Sequence, residues 1–498
     1  MTALTFLDRE HTVAPHGYSR WLIPPAALAV HLCIGQAYAT SVYKIALVEH
    51  FDASLTAVGY IFSVAIVMLG VSAAVFGTWV DRVGPRKTMF TAACCWASGF
   101  LVAALGIQAG QLWLVYLGYG FIGGIGLGLG YISPVSTLIK WFPDRPGLAT
   151  GMAIMGFGGG AMVASPLSQK LLVAYGGKDF GGEAVMHLFI TFAIVYFVFM
   201  MLGVFTVKVP PPGWTPPHFD PSKVKQKALV TDNHVSAVNA IKTPQFWLLW
   251  TVLFCNVTAG IGILENAKPM LLDFFRDPST AESAVAAATA AGFVGLLSLG
   301  NMSGRFVWST FSDYIGRKLT YVMYLGGGML LFTGVATIAD TSTAIFVLLL
   351  FFIISFYGGG FSTVPSYLRD LFGTFQVGAI HGRLLTAWSA AGIAGPLVIN
   401  AILDAQGKEP GTLVAGDYRS PIFIMVGILA VGFVCNLLIQ PVSDRFHEKG
   451  EVTDAVDAAH RPAETEDMAF EPEDIPIVEE EHLAWAERSR SHEGHPNN

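Results

Sequence analysis

The sequence predicts an all-α membrane protein, twelve transmembrane helices in two six-helix bundles, and three observations carry that expectation. The 498 residues are 53% hydrophobic and only 13% charged, whereas a soluble domain carries about 25% charged residues. Apolar runs long enough to cross a bilayer as helices, about 20 residues each, recur at 21–47, 55–80, 88–108, 112–139, 148–175, 185–207, 245–270, 284–311, 319–338, 343–368, 378–403 and 421–440. A loop motif that follows the second run returns after the eighth, so the chain reads as two related halves.

Residues 1–20 are polar and show no cleavable leader, so the start is expected on the cytoplasmic side. With that placement, 18 Lys and Arg of the connections fall inside and 7 outside, the bias that orients membrane proteins. The first bundle is then 21–208 and the second 244–445. Between them 209–243 is Pro-rich, polar and basic, a cytoplasmic linker. Residues 446–498 form a cytoplasmic tail: from 451 on it holds 14 acidic and 3 basic side chains, the composition of a disordered segment. The formal charge of -7 is therefore a property of the tail, since 3 − 14 = −11 leaves the rest of the chain at +4. Cys33, Cys94, Cys95, Cys255 and Cys435 all lie in apolar runs without ligand spacing and read as packing residues. No metal site and no cofactor is expected.

The repeat is specific. GTWVDRVGPRK (77–87) and STFSDYIGRK (309–318) superpose at a shift of 232, placing Asp81 on Asp313, Gly84 on Gly316 and Arg86 on Lys318. Asp81, Arg82, Arg86, Asp313, Arg317 and Lys318 are expected to form a charged latch at the cytoplasmic ends of the halves, able to break and re-form. Farther on, Pro134 of GYISPVSTLIKWF matches Pro365 of GFSTVPSYLRDLF at a shift of 231. GYGFIG (118–123) fits the letters of a dinucleotide fingerprint but sits inside an apolar helix with no strand before it. Gly120, Gly124 and Gly128 instead mark one helix face for close packing, as do Gly156 with Gly160 and Gly392 with Gly395.

The doubled loop motif and the 6+6 layout resemble the major facilitator superfamily. KWFPDRPGLATGMAIMGFGGGA (140–161), PPPGWTP (210–216), TPQFWLLWTVLFCNVTAGIGIL (243–264) and YGGGFSTVPSYL (357–368) resemble the oxalate:formate antiporter family, which is related to the monocarboxylate transporters. The resemblance implies the major facilitator fold and secondary active transport of small organic anions by alternating access.

Arg305 is the residue that most needs a reason. It lies eight residues inside Asp313, roughly 12 Å into a core about 30 Å thick. An ionised side chain there costs at least about 2.5 kcal/mol and marks a substrate or ion pathway. The resemblance implies the same role, because carriers of this kind hold a carboxylate with an arginine on this helix, and a planar guanidinium donates to both carboxylate oxygens. Where the oxalate carriers have a lysine on the eleventh helix, Trp388 stands here, which favours a monoanion over oxalate. The resemblance also implies pore-facing positions for Tyr38, Tyr131, Phe157, Tyr357 and Phe361; Gln36 is a further polar candidate.

The monocarboxylate carriers place a titratable aspartate four residues before the arginine; here that position is Asn301, which cannot titrate. His31 is the remaining coupling candidate near the midplane. Exchange and proton coupling both stay open, with exchange favoured. The expected partners are a small carboxylate and the lipid bilayer, with protons as a co-substrate if His31 carries them. Nucleic-acid binding is not expected, and the protein is expected to be monomeric in the cell (inner) membrane with both termini cytoplasmic. An organic-cation or drug efflux carrier and a non-transporting carboxylate receptor are the alternatives; an enzyme is not expected.

Overall fold

A computed structural model describes residues 5–448 apart from 16, 178–179, 212–213, 217–230, 232, 277–284, 286, 374–375 and 407–411. About half of the expected linker, and the acidic tail beyond Glu448, therefore lie outside the described residues. The first half comprises α1 (Arg20–Val42), α2 (Leu55–Val83), α3 (Pro85–Gln108), α4 (Leu112–Trp141), α5 (Pro146–Gly176) and α6 (Gly182–Thr206). The second comprises α7 (Pro244–Phe274), α8 (Ala287–Ile315), α9 (Arg317–Thr337), α10 (Thr343–Phe372), α11 (Val377–Asp404) and α12 (Arg419–Leu438). Among the described residues, eleven of these are long and apolar enough to cross a membrane. The twelfth, α8, is as long at 29 residues, but Asn301, Ser303, Arg305, Ser309 and Ser312 dilute its hydropathy.

Local chemistry sets the helix ends. Ser54 caps α2 by accepting from Ala57 N–H at 3.1 Å, and Thr243 caps α7 by accepting from Phe246 N–H at 3.2 Å. Pro85, Pro146 and Pro244 occupy first-turn positions, where a missing N–H is harmless. The repeat reappears in the backbone: Gly84 and Gly316 turn the chain from α2 to α3 and from α8 to α9 with φ of 84° and 89°, a region that favours glycine.

Adjacent helices alternate in direction, so one face of the bundle carries both described chain ends and the linker; we call it the terminal face and the opposite one the far face. The halves meet where α5 packs on α8 and α10, α2 on α11, and α1 on α7. Small residues permit these approaches. Gly120, Gly124 and Gly128 lay one face of α4 on α2, while Gly35 of α1 and Gly160 of α5 touch so closely that a methyl group on either would collide with backbone. There α1 tightens into 3₁₀ turns over Gly35–Val42.

Two helices run differently from the apolar pattern. α1 stops at Val42, short of the expected 47, and a separate short helix, Lys44–Phe51, follows. α7 continues to Phe274, past the expected 270. Glu265, about five residues from the end of the expected span 245–270, is thereby nine residues inside its helix and only 3% exposed.

Candidate substrate-binding site

At mid-depth, six aromatic side chains from both halves enclose Arg305. Tyr38 (α1) meets Phe157 (α5) at 5.2 Å between ring centroids, and Tyr131 (α4) meets Phe157 at 5.7 Å. Trp388 (α11) lies 5.3 Å from Tyr131, 5.4 Å from Phe157 and 4.2 Å from Phe361 (α10). Tyr357, one turn before Phe361, closes the ring: its hydroxyl is hydrogen-bonded to that of Tyr38 at 2.6 Å across the two halves. All six, placed in the pore by resemblance, converge here.

Arg305 is fully buried. Its guanidinium carbon stands 5.5 Å from the Phe157 ring centroid and 5.0 Å from that of Phe361, within cation–π reach. Nε donates to Asn301 Oδ1 at 2.8 Å, and Nη1 reaches the Ile154 carbonyl at 3.4 Å. Asn301 thus serves as an arm that orients the guanidinium from one turn away on the same helix face. Nη2 has no hydrogen-bond partner, although the hydroxyls of Tyr38 and Tyr131 stand beside the guanidinium. Asn301 Nδ2, Trp388 Nε1 and the Tyr131 hydroxyl are also buried without partners. Among the described residues no carboxylate pairs with Arg305. The cage therefore concentrates a positive charge and unused donors, a setting that a small anion would satisfy.

Gln36 does not join the cage. Its Nε2 donates to the Tyr43 hydroxyl at 3.0 Å and its Oε1 accepts from the Tyr119 hydroxyl at 3.2 Å, inside the first half. His31 is fully buried behind the cage, with Nδ1 against the Ala153 carbonyl and Nε2 3.2 Å from the Tyr131 carbonyl. Both acceptors belong to the first half, so the ring braces α1 against α4 and α5.

Both faces are closed over the cage. On the far face Lys44 pairs with Glu265 across the halves, Asn400 of α11 donates to the same carboxylate at 3.2 Å, and Thr56 of α2 donates to Asp404 of α11 at 2.5 Å. On the terminal face Thr150 of α5 donates to the Ser362 carbonyl of α10 at 2.8 Å, and Arg369 donates to the Pro143 carbonyl at 3.3 Å. The arrangement is an occluded one. Sequence reasoning missed the Lys44–Glu265 pair, because 221 residues separate the partners and both sat near the ends of the expected spans.

The six residues expected to form the latch divide into different roles. Asp313 forms an ion pair with Arg317 at 2.6 Å, and Arg317 reaches Asp370 of α10 at 3.3 Å. The Asp313 carboxylate lies against Gly147, so it crosses to the first turn of α5 in the other half, where a helix N-terminus favours negative charge. Arg86 and Lys318 do not reach across the halves, which corrects their place in the latch. Arg86 donates to the carbonyls of Val204 and Val207 at the end of α6, at 3.2 and 3.3 Å, and to that of Phe6 at 2.8 Å. Lys318 donates to Leu437 and Ile439 at the end of α12, both at 2.8 Å. Each clamps the third helix of its half to the end of the sixth, satisfying carbonyls that the helix leaves free. Arg82 is exposed and lines a polar groove with Asp8, Arg9, Glu10 and Lys87. The side chain of Asp81 lies outside the described residues.

Two six-helix halves closing over a buried mid-membrane cage define a polytopic membrane transporter. The chain belongs to the Major Facilitator Superfamily, which it matches over residues 26–396; it is a transporter and not an enzyme. It is 26% identical over 378 residues to the oxalate:formate antiporter of Oxalobacter formigenes, covering 76% of this chain and 83% of that one. To monocarboxylate transporter 2 of Meriones unguiculatus it is 24% identical over 462 residues, 88% of each chain. The crystal structure of the Escherichia coli fucose:proton symporter superposes with a TM-score of 0.57 at 15% identity, covering 84% of this chain and 98% of that one; this likeness concerns the fold.

Proposed function

We propose that this protein is a secondary transporter of small organic monoanions of the carboxylate class, working by alternating access and exchange. The observation that carries the reading is Arg305: a buried guanidinium with an unused Nη2, inside an aromatic cage whose other free polar groups can donate hydrogen bonds. A carboxylate supplies the missing charge and the missing acceptors together. The names of the relatives, an oxalate:formate antiporter and a monocarboxylate transporter, agree in substrate class. An organic cation would meet repulsion from Arg305. Glu265, the buried carboxylate of α7, is already paired with Lys44.

Exchange follows from charge. With a monoanion bound, Arg305 crosses between states neutralised; without one, the carrier must rearrange around a bare buried cation. His31 is tied to first-half carbonyls, and Asn301 cannot titrate. One cation in the cage suits a monoanion, with Trp388 packed where a second positive charge would be needed. Both termini on the cytoplasmic side of the membrane agree with the Lys and Arg bias.

Counterflow in proteoliposomes tests the reading: vesicles loaded with formate, acetate, lactate, pyruvate, glycolate or oxalate are expected to take up a labelled monocarboxylate faster than unloaded ones. Uptake that ignores the internal anion would remove exchange, and uptake of organic cations alone would remove the substrate class. Trp388→Lys is expected to move preference toward oxalate by adding the second cation. Asp313→Asn is expected to slow exchange severalfold while half-saturation stays within about twofold, since Asp313 closes the terminal face against Gly147 and does not touch the cage; Asp81→Asn is expected to act likewise from its matching place in the repeat. Kinetics on reconstituted variants check this; parallel losses of rate and affinity would contradict it.

A further inference from the structure

We propose that Asn256 of α7 is a specificity residue: its side-chain amide binds a second oxygen of the substrate, next to the carboxylate held by Arg305, and so selects 2-hydroxy or 2-oxo acids over plain alkanoates. The inference rests on the carboxylate reading above and adds to it the chemistry of the substrate's neighbouring carbon.

Depth is the first argument. Asn256 is twelve residues from the terminal-face end of α7 at Pro244, and Arg305 is ten from the terminal-face end of α8 at Ile315. At about 1.5 Å per residue these are roughly 18 and 15 Å from that face. Trp388, eleven residues along α11 from Val377, lies at roughly 17 Å by the same measure. The amide is therefore at the level of the cage.

Facing is the second. Tyr357, Gly360 and Phe361 share one face of α10, three and four residues apart, and Tyr357 and Phe361 are walls of the cage. The Asn256 amide nitrogen rests directly on Gly360, where a methyl group would collide with it. One turn farther along α7, Gly260 makes the same close approach to the Tyr357 ring. The α7 face that carries Asn256 thus runs along the caged face of α10, and only the absence of a side chain at Gly360 lets the amide come so near.

The third argument is the unused hydrogen-bonding capacity. Asn256 is 4% exposed and its Nδ2 has no partner. A buried amide left unpaired is unfavourable, so an apolar residue would serve packing better here. Being neutral, with donors and an acceptor, the amide can give a hydrogen bond to a keto oxygen or exchange one with a hydroxyl, while adding no charge to the single cation that Arg305 supplies. Sites built this way reject analogues that lack the oxygen, because the protein group is then left unsatisfied.

The test uses three-carbon acids matched in carbon number: propionate, L-lactate and pyruvate, titrated calorimetrically into the purified full-length protein. The wild type is expected to bind lactate or pyruvate more tightly than propionate. Asn256→Leu is expected to reduce that preference roughly tenfold, the effect of about one hydrogen bond, with propionate affinity within about twofold of wild type. Asn256→Thr, which keeps one hydroxyl, is expected to retain part of the preference. Gly360→Ala displaces the amide without deleting it and is expected to act in the same direction, which provides the test if Asn256→Leu does not fold. A wild type that does not discriminate, an unchanged ratio in the variants, or a parallel loss for all three acids would overturn the proposal. Failure of the carboxylate reading looks different: none of the three acids binds, or Arg305→Ala binds all three as the wild type does, and the proposal falls with it.

Discussion

Arg305→Ala is expected to abolish saturable carboxylate exchange in proteoliposomes while the protein still inserts and folds, and to raise the melting temperature measured without substrate. The two effects share one cause. The guanidinium is fully buried, has no carboxylate partner among the described residues, and leaves Nη2 unpaired. An ionised arginine at the membrane centre costs about 2.5–3.5 kcal/mol on insertion scales, so removing it relieves the protein of a charge kept for its ligand. Arg305→Lys is expected to keep the charge and lose most of the rate, because an ammonium cannot reproduce a two-pronged contact and cannot reach Asn301 Oδ1 in the same geometry. Rate, half-saturation and melting temperature of the three proteins check this together. A variant that lost stability and transport in parallel would make Arg305 a structural residue.

The second large effect belongs to the far face. Lys44→Ala is expected to destabilise the protein by about 3–5 kcal/mol, since it strands a buried carboxylate that, among the described residues, retains Asn400 as its side-chain donor. Glu265→Gln strands the ammonium of Lys44 in the same way and is expected to cost a similar amount. The double variant Lys44→Met with Glu265→Gln removes both charges and is expected to regain most of the loss. It is also expected to favour the state open to the far face, because the pair ties the short helix that follows α1 to α7 in the other half and must separate whenever the halves part there. Melting temperatures of the singles and the double measure the first effect. Accessibility of a cysteine introduced at Gly59, which packs against this cluster, measures the second. Single variants as stable as wild type would show that the pair does not hold the face shut.

How much of this was legible in the sequence differs from residue to residue. The helices were legible because a bilayer demands long apolar runs, and Arg305 was legible because a charge in such a run stands out. The six aromatics carried no signal of their own: a ring in an apolar helix packs equally well against lipid or a neighbouring helix, and only the resemblance singled them out. Gln36 failed through local geometry. Two positions apart on a helix, side chains diverge by more than about 90°, so Gln36 points away from Tyr38 and the cage, toward Tyr43 and Tyr119. Lys44 and Glu265 were hidden by misjudged helix ends, α1 stopping early and α7 running on. Arg86 and Lys318 were recognised as equivalents, but a repeat says nothing about what each copy touches. Their carbonyl partners at the ends of α6 and α12 emerge only from packing. Asn256 went unseen because an uncharged amide in an apolar helix raises no alarm in composition; its significance lies in the glycine opposite.

The central claim, that a lone buried guanidinium in an aromatic cage binds one small carboxylate, is tested most directly by equilibrium titration of the purified protein and of Arg305→Ala with the same set of monocarboxylates. Saturable binding of at least one acid to the wild type, one per chain and displaced by other acids of the set, with no detectable binding to the folded variant, is the expected result. Unchanged carboxylate affinity in Arg305→Ala would contradict it.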